Sequence, residues 1–252
     1  MSGYREIVKL LAASTGAKRM SEVFDDFVEM AALALRNAVD IRGSDSWEAR
    51  ERQYLQIAGG YSRTELNRFA HALALVTTEM QRDPCDVLGR LYMELELGNE
   101  RLGQFYTPYD VAQLMAKMEM DTVVEQVERS GFAEVYEPAC GAGGLMIALS
   151  EAMLESGLNS QTQLHVTAED IAPQATHMIY VHLTLLHIPA VVRRCNVLTL
   201  ETFETWPTLA HVLGNWSQKR RVARAIEGSR RLIIASPQKT TGEPADALEL
   251  KR

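Results

Sequence analysis

From about residue 100 onward, short runs rich in β-branched residues alternate with helix-forming stretches, and this rhythm limits the available folds more than any other feature of the chain. Strands are expected at residues 133–136, 164–167, 191–194 and 232–235, with helices over 145–155, 173–187 and 216–227 between them. Strand, helix, strand, helix is the pattern of a parallel sheet with crossover helices, an α/β fold. The first hundred residues lack it and read as helices. Residues 21–40 carry Val23, Phe24, Phe27, Met30, Ala31, Leu33 and Leu35 at helical spacing behind Ser21 as N-cap. Ser62-Arg63-Thr64-Glu65 is a capping-box pattern ahead of Leu66, Phe69, Ala70, Leu73 and Val76. A further short helix fits 86–97, and Gly59-Gly60 and Gly98-Asn99 read as breaks. The expected organisation is an α-helical N-terminal domain over 1–100 and an α/β domain over 101–252, with a polar tail from about residue 239.

With 46% hydrophobic and 23% charged residues, the chain has the composition of an ordinary folded protein with a real core. A formal charge of -7 argues against a general polyanion binder and leaves room for a local basic surface. Cys85, Cys140 and Cys195 lie far apart with no CxxC pair, which supports neither a disulfide framework nor a zinc ribbon and fits a reducing compartment. His177, His182 and His187 recur every five residues, a spacing that drifts around a helix, so no metal site is expected. Arg5, Glu6 and Lys9 interrupt the apolar residues at the start, against a signal peptide. No stretch approaches the roughly 20 apolar residues of a membrane span, so a soluble cytoplasmic protein without membrane association is expected.

The most informative segment is Glu137-Pro138-Ala139-Cys140-Gly141-Ala142-Gly143-Gly144, running from an expected strand into an expected helix. At such a junction glycines let the backbone approach a ligand and the helix N–H groups point outward; a tight turn without a ligand is the alternative. Cys140 within it reads as a small packing residue. Upstream, in Gly103-Gln104-Phe105-Tyr106-Thr107-Pro108, Thr107 is expected to cap a helix with Pro108 at its first position, where exposed N–H groups favour a carboxylate. The second expected strand leads into Glu169-Asp170. A carboxylate there can accept hydrogen bonds from two adjacent hydroxyls, and two solvated acids are the alternative.

Taken together these segments resemble S-adenosylmethionine-dependent adenine-N6 DNA methyltransferases, in a form similar to type I restriction-modification methyltransferase subunits. The resemblance implies a Rossmann-like methyltransferase sheet and S-adenosylmethionine as cofactor. It places Glu137, Gly141 and Gly143 in the glycine motif, and Tyr106, Thr107 and Pro108 beside the methionine carboxylate. Asp170 takes the ribose hydroxyls, with Glu169 as its rival. Asn196 stands where the family carries the acid that binds the cofactor's adenine. DNA is the implied substrate, and a specificity subunit or another modification-system protein the implied partner. A nicotinamide enzyme fits less well, because Glu-Pro-Ala-Cys before the glycines is not the usual dinucleotide turn.

One family feature is missing. Adenine methylases carry Asn/Asp/Ser-Pro-Pro-Tyr/Phe after the fourth strand, where a polar side chain and a carbonyl hold the target amine and the aromatic stacks on the flipped base. This chain has no Pro-Pro. Its nearest candidate is Ser236-Pro237, after the expected strand at 232–235, with Gln238 and Lys239 replacing the second proline and the aromatic. Two readings follow: an adenine-N6 DNA methyltransferase, or a catalytically inactive methyltransferase-like module that binds cofactor, DNA or a modification enzyme and regulates it. Lys219, Arg220, Arg221, Arg224, Arg230 and Arg231 form a basic cluster suited to phosphates or to a solvated helix face. Trp206 and Trp216 are expected in the core rather than against a base.

Overall fold

The computed structural model describes residues 2–235, apart from 17, 41, 83 and 96–105. Among the described residues before 96, the regular elements are helices: α1 Ser2–Ala12, α2 Met20–Asn37, α3 Asp45–Ala58, α4 Arg63–Arg82 and α5 Val87–Glu94. Then follow α6 Tyr109–Ser130, β1 Ala133–Glu137, α7 Gly144–Glu155, α8 Ser160–Gln163, β2 Leu164–Asp170, α9 Pro173–Leu185, β3 Ala190–Asn196, β4 Glu201–Pro207, α10 Leu209–Leu213 and α11 Trp216–Ala235. The described residues up to Trp216 form one compact unit, and those from Ser217 to Ala235 belong to a second. The change of character near residue 100 is thus one of secondary structure, and a single buried core runs across it from Ile7 to Trp206.

Four strands lie in the order β1-β2-β3-β4. The first three are parallel, with Val135 opposite Val166 and Ala168 opposite Val192, because α7 and α9 each carry the chain back to the same end of the sheet. β4 was not expected from the pattern. It follows β3 after only four residues, too few for a crossover, and therefore returns antiparallel, with Val192 opposite Trp206. Thr202, Phe203, Thr205 and Trp206 are good strand formers and were the available signal. α9 contacts β2 and β3 on one side and α2 on the other, which is why every residue from Ala175 to Leu183 is buried.

Three expectations need correction. Residues 232–235 belong to α11 and not to a strand. A strand needs a neighbour for its N–H and C=O groups, whereas α11 runs on through Gly228 and Ser229 and satisfies them internally. Ser21 lies inside α2, whose N-cap is Arg19; Glu22 reaches back to accept the Arg19 N–H at 2.8 Å. Pro108, not Thr107, is the N-cap of α6, with no side-chain cap. The Ser62–Glu65 capping box does form, with Ser62 N–H donating to Glu65 Oε2 at 2.7 Å and Glu65 N–H to Ser62 Oγ at 3.3 Å.

Candidate cofactor site

Because β1 and β2 are parallel and in register, Glu137 and Asp170 emerge at the same end of the sheet. Between β1 and α7 the chain turns sharply, with Gly141 at φ +51° and Gly143 at φ +94°, both in the left-handed region that favours glycine. A Cβ at Gly141 would stand 2.8 Å from the ring of Tyr106, so the missing side chain lets that ring lie on the turn. Asp170 ties the structure together. Its Oδ2 accepts the Gly141 N–H at 3.0 Å and its Oδ1 the Ala172 N–H at 2.9 Å, joining the glycine turn to the entry of α9. The Cys140 N–H also donates across, to the Glu169 carbonyl at 2.9 Å.

A cavity of about 380 Å³ opens over this turn, in the size range of small-molecule sites. Of the residues picked from the sequence, Tyr106, Thr107, Glu137, Gly141 and Asp170 line it together. Pro108 stands just outside, at the start of α6. Gly143 faces the core instead: a Cβ there would come within 2.6 Å of Ile179 Cγ1. Asn196 is absent from the lining, and its Oδ1 turns back to accept the Leu198 and Thr199 N–H groups at 3.0 and 3.2 Å. Glu169 points elsewhere than its neighbour, accepting the Tyr136 hydroxyl at 2.6 Å and pairing with Arg193 at 3.0 Å. Ser236 and Pro237 lie outside the described residues. Burial pushes the Cys140 thiol well above its ordinary range, which keeps it protonated and suits a packing role.

Asp86, in the cavity lining, and His182, bonded to the turn behind it, carry no mark of a site in the sequence. Asp86 is the N-cap of α5, with Oδ1 accepting the Gly89 N–H at 2.7 Å, and it lines the cavity while only 5% exposed. His182 lies fully buried beneath it. Its Nε2 accepts the Leu88 N–H at 3.2 Å, so Nδ1 carries the ring proton and donates it to the Ala142 carbonyl at 2.9 Å. Burial lowers the His182 pKa against the pull of Asp86, and the ring is neutral. An Asp opening a short helix was visible in the sequence; its meeting with a turn more than fifty residues away was not. Among the described residues no cluster of His, Cys, Asp or Glu is arranged to hold a metal, and no helix is long and apolar enough to cross a membrane.

Residues 86–240 match the family profile described as N-6 DNA Methylase, well over half of the chain, so the chain belongs to that family. The family's methyl donor is S-adenosylmethionine. Two solved structures are similar. The methyltransferase subunit of a type I restriction-modification system from Streptococcus thermophilus shares 14% identity at a TM-score of 0.39, covering 78% of this chain and 58% of that one. A protein assigned as a class I S-adenosylmethionine-dependent methyltransferase from Listeria monocytogenes shares 10% identity at a TM-score of 0.35, covering 76% and 52%. The chain thus spans little more than half the length of either. No curated protein matches it.

Proposed function

We propose that this chain binds S-adenosylmethionine in the cavity over the glycine turn and serves the methylation of adenine N6 in DNA, in the cytoplasm, with sequence recognition supplied by a specificity subunit. The observation that carries the reading is the cavity itself: in a member of the N-6 DNA methylase family, it joins the glycine turn, the start of α6 and the acid ending β2. These residues fit the cofactor. Gly141 leaves the backbone open beside Tyr106, and the volume suits a ligand of nucleoside size. Asp170, held by two backbone amides, keeps lone pairs for adjacent ribose hydroxyls. The start of α6, where the Val111 N–H donates to the Pro108 carbonyl at 2.9 Å, presents the positive end of the helix and favours a carboxylate. When bound, the cofactor supplies an electrophilic methyl group on a positively charged sulfur. The protein's part is to hold that group still and oriented, which by itself lowers the barrier by several kcal/mol.

One observation favours the second reading, a cofactor-binding module without transfer activity: the segment expected to present the Ser236-Pro237 loop from a fourth parallel strand is the end of α11. Equilibrium dialysis with labelled S-adenosylmethionine tests the shared part of both. The wild-type chain is expected to bind, and Asp170→Asn to bind at least about tenfold more weakly, the effect of losing a charged hydrogen-bond acceptor. Absence of binding by the wild type would remove the transfer reading and the cofactor-binding form of the second, leaving a module that binds DNA or a modification enzyme. Mass spectrometry of N6-methyladenine in a methylation-free host then separates them, a signal above the Asp170→Asn background supporting transfer and binding without signal supporting the module.

A further inference from the structure

Asp86 offers a charge that its local task does not require. An N-cap needs only an oxygen for one helix N–H, and Ser, Thr or Asn supplies it as well as Asp does. Here the cap is a carboxylate 5% exposed at the wall of the cavity. Its Oδ1 takes the Gly89 N–H, and Oδ2 lies 3.4 Å from where a Cβ of Gly144 would stand, at the first turn of α7. The nearby ring does not neutralise it. His182 Nδ1 is 3.9 Å from Oδ1, but its proton points to the Ala142 carbonyl and the ring is uncharged. Arg90 sits over the Tyr109 ring at 5.2 Å, and among the described residues no Lys or Arg forms an ion pair with Asp86. Burial pushes the Asp86 carboxyl above its usual range, opposed by His182, the Gly89 N–H and Arg90. A carboxylate so placed costs stability unless a cation joins it.

The cavity also places this acid beside a site for the opposite charge. The Tyr109 hydroxyl, on the first residue of α6, donates to the Pro84 carbonyl at 3.1 Å, which holds the start of α6 next to the residues that lead into Asp86. Thr107 and Asp86 both line the cavity. A ligand that carries an ammonium and a carboxylate on one carbon meets an acid and a helix N-terminus side by side there.

We propose that Asp86 is the anionic contact for the α-ammonium at the amino-acid end of bound S-adenosylmethionine, an inference that rests on the cofactor reading above. The test is calorimetric binding of three probes: S-adenosylmethionine, S-adenosylhomocysteine, which keeps the ammonium and lacks the sulfonium charge, and the deaminated analogue of S-adenosylhomocysteine. Wild type is expected to bind the deaminated analogue at least about tenfold more weakly than S-adenosylhomocysteine. Asp86→Asn, which keeps the cap and removes the buried charge, is expected to melt no lower than wild type, to weaken the first two probes alike, and to lose nothing further with the third. If wild type binds the deaminated analogue as well as S-adenosylhomocysteine, the proposal fails whatever the variant does. It also fails if Asp86→Asn binds S-adenosylmethionine normally or still discriminates by the ammonium; a lowered melting temperature with discrimination intact marks a structural cap only. No binding of S-adenosylmethionine by the wild type overturns the cofactor reading itself, a result distinct from all of these.

Discussion

Two histidines five residues apart in α9 are both buried, and the two regions they serve accommodate them by opposite means. Under the cavity, His182 uses both ring nitrogens on backbone groups 40 and 94 residues away, fixing the start of α5 and the glycine turn relative to one another. Toward the antiparallel edge of the sheet, His177 stacks on Trp206 with ring centroids 5.3 Å apart and planes inclined by 24°. Tyr180 packs edge-on against the same indole. Directional hydrogen bonds set positions where a ligand must be met accurately, while ring packing suffices where only a core has to be filled.

The sharpest break in this contrast comes from the turn itself. Gly143→Asp places a side chain at φ +94° against the buried Ile179, and the combined strain and overpacking are expected to cost about 4 kcal/mol in denaturant unfolding. That variant would lose cofactor binding through loss of the fold, so it reports on folding rather than on contact with the ligand. His182→Leu comes next. It leaves the buried Leu88 N–H and Ala142 carbonyl without their partner, and a loss of about 3 kcal/mol is expected, together with weaker S-adenosylmethionine binding.

His177 predicts a pH effect instead. Burial, reinforced by Arg194, lowers its pKa from 6.5 to about 4. A folded-state pKa below the unfolded value means that its contribution is intact above pH 6.5 and is lost as pH falls toward 4. The full loss is about 3 kcal/mol, of which only part is felt at pH 5. His177→Phe, which keeps a ring against Trp206, should flatten that stretch of the stability profile and leave cofactor binding unchanged. If the profile is equally steep in the variant, the edge is not held as described. The smallest effect belongs far from both regions: Ser62→Ala removes one half of the capping box of α4 and should lower stability by about 1 kcal/mol without touching binding.

Much of the site was legible because it is local. The glycine turn, the acid closing β2 and the capping box of α4 each depend on residues within a few positions of one another, and each has its own backbone signature. Residues 232–235 show the limit of such local signals. Leu232, Ile233 and Ile234 suit a strand by residue type, but a strand exists only where another strand accepts it. β4 is the converse, a strand whose partner became available only once β3 was in place. The one-residue shift at Thr107 and Pro108 reflects how weakly sequence marks helix ends.

The sequence by itself determined the parallel α/β order, the left-handed glycines of the turn and the presence of two acids at the end of β2, since these follow from chain periodicity and backbone sterics. Only the tertiary structure decided what those acids do. Adjacent strand residues project to opposite faces, so Asp170 joins the cavity while Glu169 pairs with Arg193. It also decided that Asp86 would lie in the same wall as Gly144, because packing around a neutral, buried His182 brings the start of α5 against the glycine turn.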